Sequence, residues 1–430
     1  VTVACAELLD EAPRASAEVV LGHDVGRRLE IGGCDVVELA REFGTAADNV
    51  AEDDLRARAR SFVEELSARH SDFDVLFASK AFPCTAVYRV LAEEGLSCDV
   101  ASGGELALAL RGGFDAERIY LHGNAKSIVE LSEALQAGVG HVVLDSPHDA
   151  ERLKGVATAL GIRQEVLLRV TPGVAGDTHA AISTGQANSK FGFSIDDARA
   201  MIDRLRDDED LSLVGLHFHI GSLLFELEPF RAAVRALAVL GEFPVYNFGG
   251  GLAAAYTAAQ HPPSVADYVD ALVSTAHAEL GSDNRLLLEP GRALVANSTV
   301  TAYTVETVKQ NVATWVAVDG GMSDNLRPML YGAVYEALLA DRPSTPGSVR
   351  CHVAGKHCES GDVLVRDVQL PDPAPGDVLV TPATGAYGYS LANNYNGVPR
   401  PPVLFCRDGD ARVVVRRENY EDLMARDVEG

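Results

Sequence analysis

Two glycine-containing segments of this sequence have the residue types of an anion-binding site. The triplet Gly249-Gly250-Gly251 follows the apolar run 245–248, and Glu289-Pro290-Gly291-Arg292 follows the apolar run 285–288. Glycine lets a backbone approach an anion closely and direct N–H groups towards it, and arginine adds a charged donor. These two segments therefore predict a phosphate site.

Other reactive side chains also lie at the ends of apolar runs, among them Lys80, Asp99 and His219. A lysine, an imidazole and a carboxylate beside a phosphate site suit a phosphorylated cofactor that forms a Schiff base with the lysine, namely pyridoxal phosphate. A carboxylate such as Glu289 next to the pyridine nitrogen would keep that nitrogen protonated. The ring is then a strong electron sink, which favours decarboxylation over racemisation.

The pair His217 and His219 also suits a metal, because residues two apart on a strand share a face. A metal-dependent barrel hydrolase would take its remaining ligands from Asp and His at neighbouring strand ends. The sequence offers Lys80, the glycine triplet and Arg292 at such positions, so we expect no metal.

Eight short apolar runs alternate with amphipathic segments, and we interpret them as buried parallel strands. The runs are 75–79, 98–101, 119–122, 141–144, 165–170, 213–219, 245–248 and 285–288. Three of the intervening helical segments end at Gly95, at Gly112-Gly113 and at Gly138. Eight such repeats predict an α/β fold, a (β/α)8 TIM-like barrel, in which loops after the last two strands commonly bind phosphate.

The residues after the barrel repeats have a different pattern, with β-rich runs separated by turn signals. The runs are 300–308, 314–318, 349–354, 363–370, 377–381, 402–405 and 411–416. We predict a cofactor-binding barrel at 51–296 and a C-terminal all-β domain, a β-barrel or sandwich, at 297–430. Residues 1–50 lack the barrel repeat, and we expect them to pack with the β domain. The polar insertion 183–192 predicts a lid over the substrate.

Composition excludes several classes of protein. The chain has 430 residues, of which 47% are hydrophobic, and a net charge of −25. This acidity argues against a nucleic-acid partner, and no apolar run is long enough to span a membrane. The seven cysteines are scattered, and the N-terminus shows no signal-peptide pattern, so we expect a cytoplasmic protein.

A second group of reactive residues lies in the predicted β domain. Cys358 and Glu359 fall between two predicted strands, and Tyr387 lies in a glycine-containing loop. Arg327 and Tyr331 are four residues apart, so they share a face if this stretch is helical, and together they could clamp a carboxylate. Cys358 could equally be a structural thiol.

From about Phe77 to the C-terminus the sequence resembles the diaminopimelate decarboxylases, fold type III pyridoxal-phosphate enzymes related to ornithine decarboxylase and alanine racemase. The motifs that carry the resemblance are Ser79-Lys80-Ala81-Phe82, Ser189-Lys190-Phe191-Gly192, His219-Ile220-Gly221-Ser222, the glycine triplet, Glu289-Pro290-Gly291-Arg292, Asp319-Gly320-Gly321-Met322, Cys358-Glu359-Ser360 and Thr384-Gly385-Ala386-Tyr387.

The resemblance implies a role for each matching residue. Lys80 would form the Schiff base, Asp99 would orient Lys80, His219 would stack on the cofactor ring, and Cys358 would donate a proton. Cofactor contacts are implied for Lys80, Asp99, His219, Ser222, Gly249, Gly250, Gly251, Glu289, Gly291, Arg292 and Tyr387. Substrate contacts are implied for Arg292, Arg327, Tyr331, Glu359 and Tyr387. Cys358 and Glu359 would come from the partner subunit of a homodimer with shared active sites.

The implied reaction converts meso-2,6-diaminopimelate to L-lysine and CO2, a step of lysine biosynthesis. The sequence departs from the family pattern at two places, Ala46-Ala47 near the barrel entrance and Phe218 between the two histidines. These departures leave a second hypothesis open, in which the enzyme decarboxylates another amino acid in a specialised pathway. A catalytically inactive regulator with the same fold is the alternative of a different class.

Overall fold

The computed structural model describes residues 28–174 and 189–428. The described chain opens with two short paired strands, a helix and a longer strand. They are β1 (Glu30–Ile31), β2 (Cys34–Asp35), α1 (Val36–Phe43) and β3 (Ala47–Ala51). Asp35 caps α1 by accepting hydrogen bonds from the amides of Val37 and Glu38.

Eight parallel strands then form a closed barrel, as the sequence predicts. The strands are β4 (Phe73–Ala78), β5 (Ser97–Val100), β6 (Ile119–Leu121), β7 (His141–Leu144), β8 (Gln164–Arg169), β9 (Leu211–His217), β10 (Val245–Asn247) and β11 (Arg285–Leu288). The barrel closes where β11 pairs with β4, with Leu288 opposite Val75. Its centre is filled by Leu76, Tyr120, Val143, Leu167 and Leu287.

Helices alternate with these strands. They are α2 (Glu52–Ser67), α3 (Thr85–Glu93), α4 (Gly103–Gly112), α5 (Ile128–Ala137), α6 (Pro147–Leu160), α7 (Ile195–Leu205), α8 (Glu228–Ala238), α9 (Val265–Glu279) and the short α10 (Arg292–Val295). Ser194 caps α7 through the Asp197 amide. Gly113 and Gly138 end α4 and α5 in the left-handed conformation, which glycine adopts without strain.

The β domain is also confirmed. It contains β12 (Thr299–Gln310), β13 (Thr314–Val318), α11 (Arg327–Tyr331), β14 (Leu338–Leu339), β15 (Val349–Ala354), β16 (Val363–Leu370), β17 (Val378–Thr381), β18 (Val403–Arg407), β19 (Asp410–Val415) and α12 (Tyr420–Met424). Its main sheet has the order β16-β15-β13-β12-β3-β18-β19, so β3 of the N-terminal segment lies between two C-terminal strands.

Two strands of this sheet are absent from the sequence interpretation. β3 contains the polar residues Asp48 and Asn49, which are nevertheless buried. The Asp48 carboxylate accepts a hydrogen bond of 2.7 Å from the Thr301 hydroxyl on the neighbouring strand. β14 has only two residues, too few for a recognisable pattern.

The chain divides into two compact units. Of the described residues, the first unit comprises 28–58, 254–261 and 294–428, and the second comprises 59–174, 189–253 and 262–293. The sequence-based boundaries at 50/51 and 296/297 remain predictions. The predicted lid, 183–192, falls largely outside the described residues. Among the described helices none combines the length and the apolar character that a transmembrane span requires.

Candidate active site

Lys80 lies at the carboxyl end of the first barrel strand, in the short 3-10 turn Ser79–Ala81. Its side chain is exposed, whereas the preceding residues of β4 are buried. Asp99, at the end of β5, accepts a 3.3 Å hydrogen bond from the Ser79 amide. This contact fixes the start of the turn that carries Lys80.

The Glu289 carboxylate is buried at the carboxyl end of β11 and is surrounded by hydrogen-bond donors. Asn247 Nδ2 lies 2.7 Å from Oε1, His122 Nε2 lies 2.9 Å from Oε1, and His217 Nε2 lies 3.2 Å from Oε2. These three donors come from the ends of three other barrel strands. The carboxylate is therefore held in one orientation by groups far apart in sequence.

Electrostatics in this cluster keep Glu289 ionised. Burial alone would raise its pKa, but the imidazoles of His122 and His217 outweigh burial and hold the pKa of Glu289 well below its usual range. Burial lowers the pKa of His217 to about 4. Burial, followed by the charge of Glu289, raises the pKa of Asp99 to about 7. The barrel thus holds one firmly ionised carboxylate beside one that titrates near neutrality.

The glycine triplet after β10 forms a turn that tolerates no side chain. Gly249 and Gly251 have φ angles of +61° and +131°. A Cβ atom on Gly250 would lie 2.2 Å from the Glu289 carbonyl oxygen, and one on Gly249 would lie 2.3 Å from the Phe218 carbonyl oxygen. Substitution would therefore displace the backbone that joins the ends of β9, β10 and β11.

Ser222 and Arg292, two residues predicted to contact a phosphate, are hydrogen-bonded to each other. The Ser222 Oγ accepts hydrogen bonds of 3.2 and 3.0 Å from Nε and Nη2 of the buried Arg292. Half-buried His219 lies next to the triplet, because its Nδ1 accepts a 3.2 Å bond from the Gly250 amide. Burial, together with the charges of Lys80 and Arg169, lowers the pKa of His219 well below its usual value. A neutral ring of this kind can stack on an aromatic cofactor.

The two histidines of the metal hypothesis have different partners, since His217 contacts Glu289 and His219 contacts Gly250. Within the described residues, the three side chains close enough to share an ion are His122, His217 and Glu289, with ligand atoms within 4.8 Å of one another. The Asn247 amide already donates to the same carboxylate.

In the β unit, Arg327 is the largest fully buried side chain. Its guanidinium lies 4.3 Å from the ring centre of Tyr256 and 5.4 Å from that of Tyr335, and it donates a hydrogen bond to the Tyr335 hydroxyl. No carboxylate of the described residues forms an ion pair with it, and its Nε has no partner there. Burial opposes the charge, but the phenols of Tyr256 and Tyr335 outweigh burial and raise the pKa of Arg327.

Tyr331 lies in the same five-residue helix α11 as Arg327 and is partly exposed. The Arg327 guanidinium donates to the phenol of Tyr335, four residues after Tyr331. Tyr387 lies in the loop after β17, is half-buried and has a φ of +64°, which is unusual for a residue other than glycine. Such strain is common at binding sites.

Cys358 and Glu359 lie side by side in the connection between β15 and β16, and both are exposed. The other cysteines of the described chain are buried. The neighbouring His357 is buried and bound to Asp362, with 2.7 Å between Nδ1 and Oδ2. Its imidazole is thus engaged by a carboxylate.

Comparison with known proteins agrees with this geometry. Residues 52–296 match the family model of the pyridoxal-dependent decarboxylase pyridoxal-binding domain. Diaminopimelate decarboxylase of Mycobacterium tuberculosis is 43% identical, over 98% of this chain and 99% of that protein. The M. jannaschii diaminopimelate decarboxylase, solved in complex with L-lysine, has a TM-score of 0.88 and 32% identity, over 96% of this chain and 99% of that one. The enzyme of Helicobacter pylori, also with L-lysine, has a TM-score of 0.85 and 30% identity, over 90% and 98%.

The chain belongs to the diaminopimelate decarboxylase family. It is therefore a carboxy-lyase of the pyridoxal-dependent class, as the sequence resemblance implies.

Four contacts of this decarboxylase escaped sequence reasoning. His122 and Asn247 hold Glu289, and Tyr256 and Tyr335 hold Arg327. Asn247 carried a usable signal, because it ends a strand directly before the glycine triplet. The tyrosines carried none, since a phenol in a loop has no characteristic pattern.

Proposed function

We propose that this decarboxylase binds pyridoxal phosphate through the barrel residues and converts meso-2,6-diaminopimelate to L-lysine and CO2. The observation that carries the substrate assignment is the buried Arg327, whose charge has no acidic partner among the described residues. A buried cation is costly unless an anion binds it. The distal carboxylate of diaminopimelate supplies one, whereas ornithine has no such group.

The barrel residues fit the cofactor. Ser222, Arg292 and the amides of the glycine triplet would hold the phosphate, and Lys80 would bind the aldehyde carbon. His219 would stack on the ring, and the ionised Glu289 would face the pyridine nitrogen and keep it protonated. When bound, pyridoxal phosphate supplies an electron-withdrawing ring that accepts the electron pair of the breaking C–C bond.

The residues of the chain then handle protons and charge. Glu289 stays ionised because three donors stabilise it, so it is fit to hold a proton on the ring nitrogen throughout turnover. Cys358 would deliver one proton to the substrate α-carbon after CO2 leaves, so that a C–H bond replaces the C–C bond. The substrate would be contacted by Arg292, Arg327, Tyr331, Glu359 and Tyr387. These contacts would determine which of its two ends reacts.

A homodimer with shared sites is part of this proposal. Exposed, adjacent Cys358 and Glu359 support it, since an exposed pair is available to a second copy of the chain. Mixing inactive Lys80→Ala and Cys358→Ala proteins tests it. Hybrid dimers would regain one intact site, so activity should recover to about a quarter of wild type. If each site lies within one chain, mixing restores nothing.

We also place the reaction in the cytoplasm, because the described cysteines are all free thiols.

The function itself is tested by cofactor absorbance and CO2 release. Lys80→Ala should abolish the absorbance band of the lysine-bound cofactor and lower kcat by at least about a thousandfold, because it removes the covalent attachment. Lys154→Ala, at an exposed surface ion pair, is the control. A substrate panel should show CO2 release from meso-diaminopimelate and not from ornithine.

Each alternative predicts a different result in the same assays. An enzyme specific for another amino acid would bind the cofactor and release CO2 from a different member of the panel. An inactive regulator would fail to bind the cofactor. The proximity of His122, His217 and Glu289 makes metal analysis of the purified protein worthwhile, since a metal hydrolase would contain a stoichiometric ion.

A further inference from the structure

The turn that carries Cys358 and Glu359 has buried ends and an exposed tip. The side chains of His357 and Asp362 are 0% and 1% exposed. The four residues between them, 358–361, are all exposed. A thiol and a carboxylate are thus presented to the outside on a short tip between two buried anchors.

The Asp362 carboxylate is the hub of these anchors. It accepts hydrogen bonds from His357 Nδ1 at 2.7 Å, from the His357 amide at 3.0 Å and from the Met322 amide at 2.8 Å. The first two bonds fix the residue that directly precedes Cys358. The third bond attaches the turn to the segment that follows β13. Both carboxylate oxygens are therefore used to tie together parts of the chain that lie 40 residues apart.

Two glycines make room for this hub. A Cβ atom on Gly355 would lie 2.1 Å from Asp362 Oδ2, and one on Gly321 would lie 2.5 Å from the same atom. Gly321 also has a φ of +149°. Gly321 belongs to the Asp319-Gly320-Gly321-Met322 motif, and both glycines allow the backbone to close around a carboxylate.

Further contacts restrain the tip itself. Asn396 Oδ1 accepts a 2.9 Å hydrogen bond from the Cys358 amide. The Tyr395 ring lies nearly parallel to the His357 ring, at 14° and 5.9 Å between centres. The Glu359 amide donates to the His357 carbonyl oxygen at 2.7 Å. The backbone of the tip is thus fixed at both of its reactive residues.

We propose that Asp362 and His357 are positioning residues that hold the Cys358–Glu359 tip in its reactive conformation before it meets the active site of a second copy of this chain. The inference rests on the proposed function of Cys358 as proton donor. Its physical basis is entropic, because ordering of a mobile tip would otherwise oppose every assembly and turnover. Misplacement of the thiol would slow the step in which the S–H bond breaks and the substrate C–H bond forms.

Paired variants test this inference in the full-length enzyme loaded with cofactor. Asp362→Asn keeps the shape of the side chain but turns one acceptor into a donor, and His357→Leu removes the Nδ1 donor. Each should lower the kcat of the cofactor-bound enzyme by about tenfold or more. The KM for diaminopimelate should stay within about threefold of wild type. His357→Asn restores a donor near the Nδ1 position and should retain most of the activity. His352→Asn, on the adjacent strand β15, is the matched control.

The solvent deuterium isotope effect on kcat separates positioning from stability. If the tip is misplaced, proton delivery becomes slower and the isotope effect rises in Asp362→Asn and His357→Leu but not in His352→Asn. A lower melting temperature with an unchanged kcat and isotope effect would show that the pair is only structural and would overturn the inference. If Asp362→Asn does not fold, the comparison of His357→Leu with His357→Asn decides the matter by the same criteria.

Cys358→Ala distinguishes the inference from the function on which it rests. Full activity of Cys358→Ala would refute the role of Cys358, and the positioning role would fall with it. An inactive Cys358→Ala beside a fully active Asp362→Asn would refute the positioning role alone. Absorbance of the bound cofactor, which depends on barrel residues, confirms in each case that the protein has folded.

Discussion

The barrel and the β unit each bury a charged side chain, and they treat it in opposite ways. Glu289 of the barrel receives donors from Asn247, His122 and His217, all from the same chain. Arg327 of the β unit is bound by phenols and has no acidic partner among the described residues. With the roles proposed above, the charge that acts on the cofactor is balanced within the protein, whereas the charge that selects the substrate is left for the substrate to balance.

The largest effect should come from removing the balanced charge. Glu289→Gln should lower kcat by about a hundredfold or more, because an amide cannot keep the ring nitrogen protonated and the surrounding donors lose an anionic acceptor. Cofactor titration and CO2 release measure the effect. Glu165→Gln removes the acid of another His–Glu pair in the barrel, 3.0 Å from His141, and should leave kcat unchanged. A small effect of Glu289→Gln would contradict the assigned role.

Removal of the unbalanced charge should separate substrate binding from stability. Arg327→Met should raise KM for diaminopimelate by about ten- to a hundredfold, the value of a hydrogen-bonded charge pair. Its melting temperature should not fall, because an unpaired buried charge is replaced by a hydrophobic chain. Arg342→Met is the contrast, since Arg342 pairs with Asp377 at 2.6 Å, and it should lose stability without a change in KM. A strongly destabilised Arg327→Met would contradict the proposal that the charge of Arg327 is left for the substrate to balance.

A smaller effect is expected at the phenol that holds Arg327. Tyr335→Phe removes one hydroxyl and should raise KM by about two- to tenfold, with kcat nearly unchanged, because one hydrogen bond contributes about 0.5–1.5 kcal/mol. Tyr246→Phe is the matched control, since it removes the hydroxyl of another buried tyrosine, one that bonds to the Gly241 carbonyl and the Phe243 amide within the barrel unit. Equal KM values for the two variants would rule out positioning of Arg327 by Tyr335.

The remaining prediction concerns stability and its dependence on pH, with no expected effect on KM. Burial raises the pKa of Asp324, also in the β unit, to about 7. The folded protein therefore holds this proton more tightly than the unfolded chain, so the associated stability is present below pH 4 and is lost as pH rises to 7. Asp324→Asn should thus gain stability relative to wild type between pH 5 and pH 8, by on the order of 1–4 kcal/mol.

Urea unfolding at the two pH values measures this difference. Asp367→Asn is the control, because Asp367 is exposed at the sheet edge. A constant difference between Asp324→Asn and wild type at both pH values would show that Asp324 is already ionised in the fold. The β unit would then tolerate an uncompensated buried charge more readily than the comparison with the barrel implies.

The sequence by itself determined the barrel strands, the β domain and the positions of Lys80, Glu289 and the glycine triplet. Those features are local, because a buried parallel strand is a continuous apolar run and the residue that follows it emerges at the carboxyl end of the barrel. The strand Thr314–Val318 and the helix end at Gly138 could be located to the residue for this reason. β3 could not, because its buried Asp48 accepts its hydrogen bond from a strand some 250 residues away.

Only the tertiary structure decided which side chains share a site. His122 and Glu289 are 167 positions apart in sequence and meet only because the barrel closes. Tyr256 follows the glycine triplet in the chain, yet it packs on Arg327 of the β unit. No pattern within a segment records such pairings, since burial and hydrogen bonding depend on what the rest of the fold brings alongside.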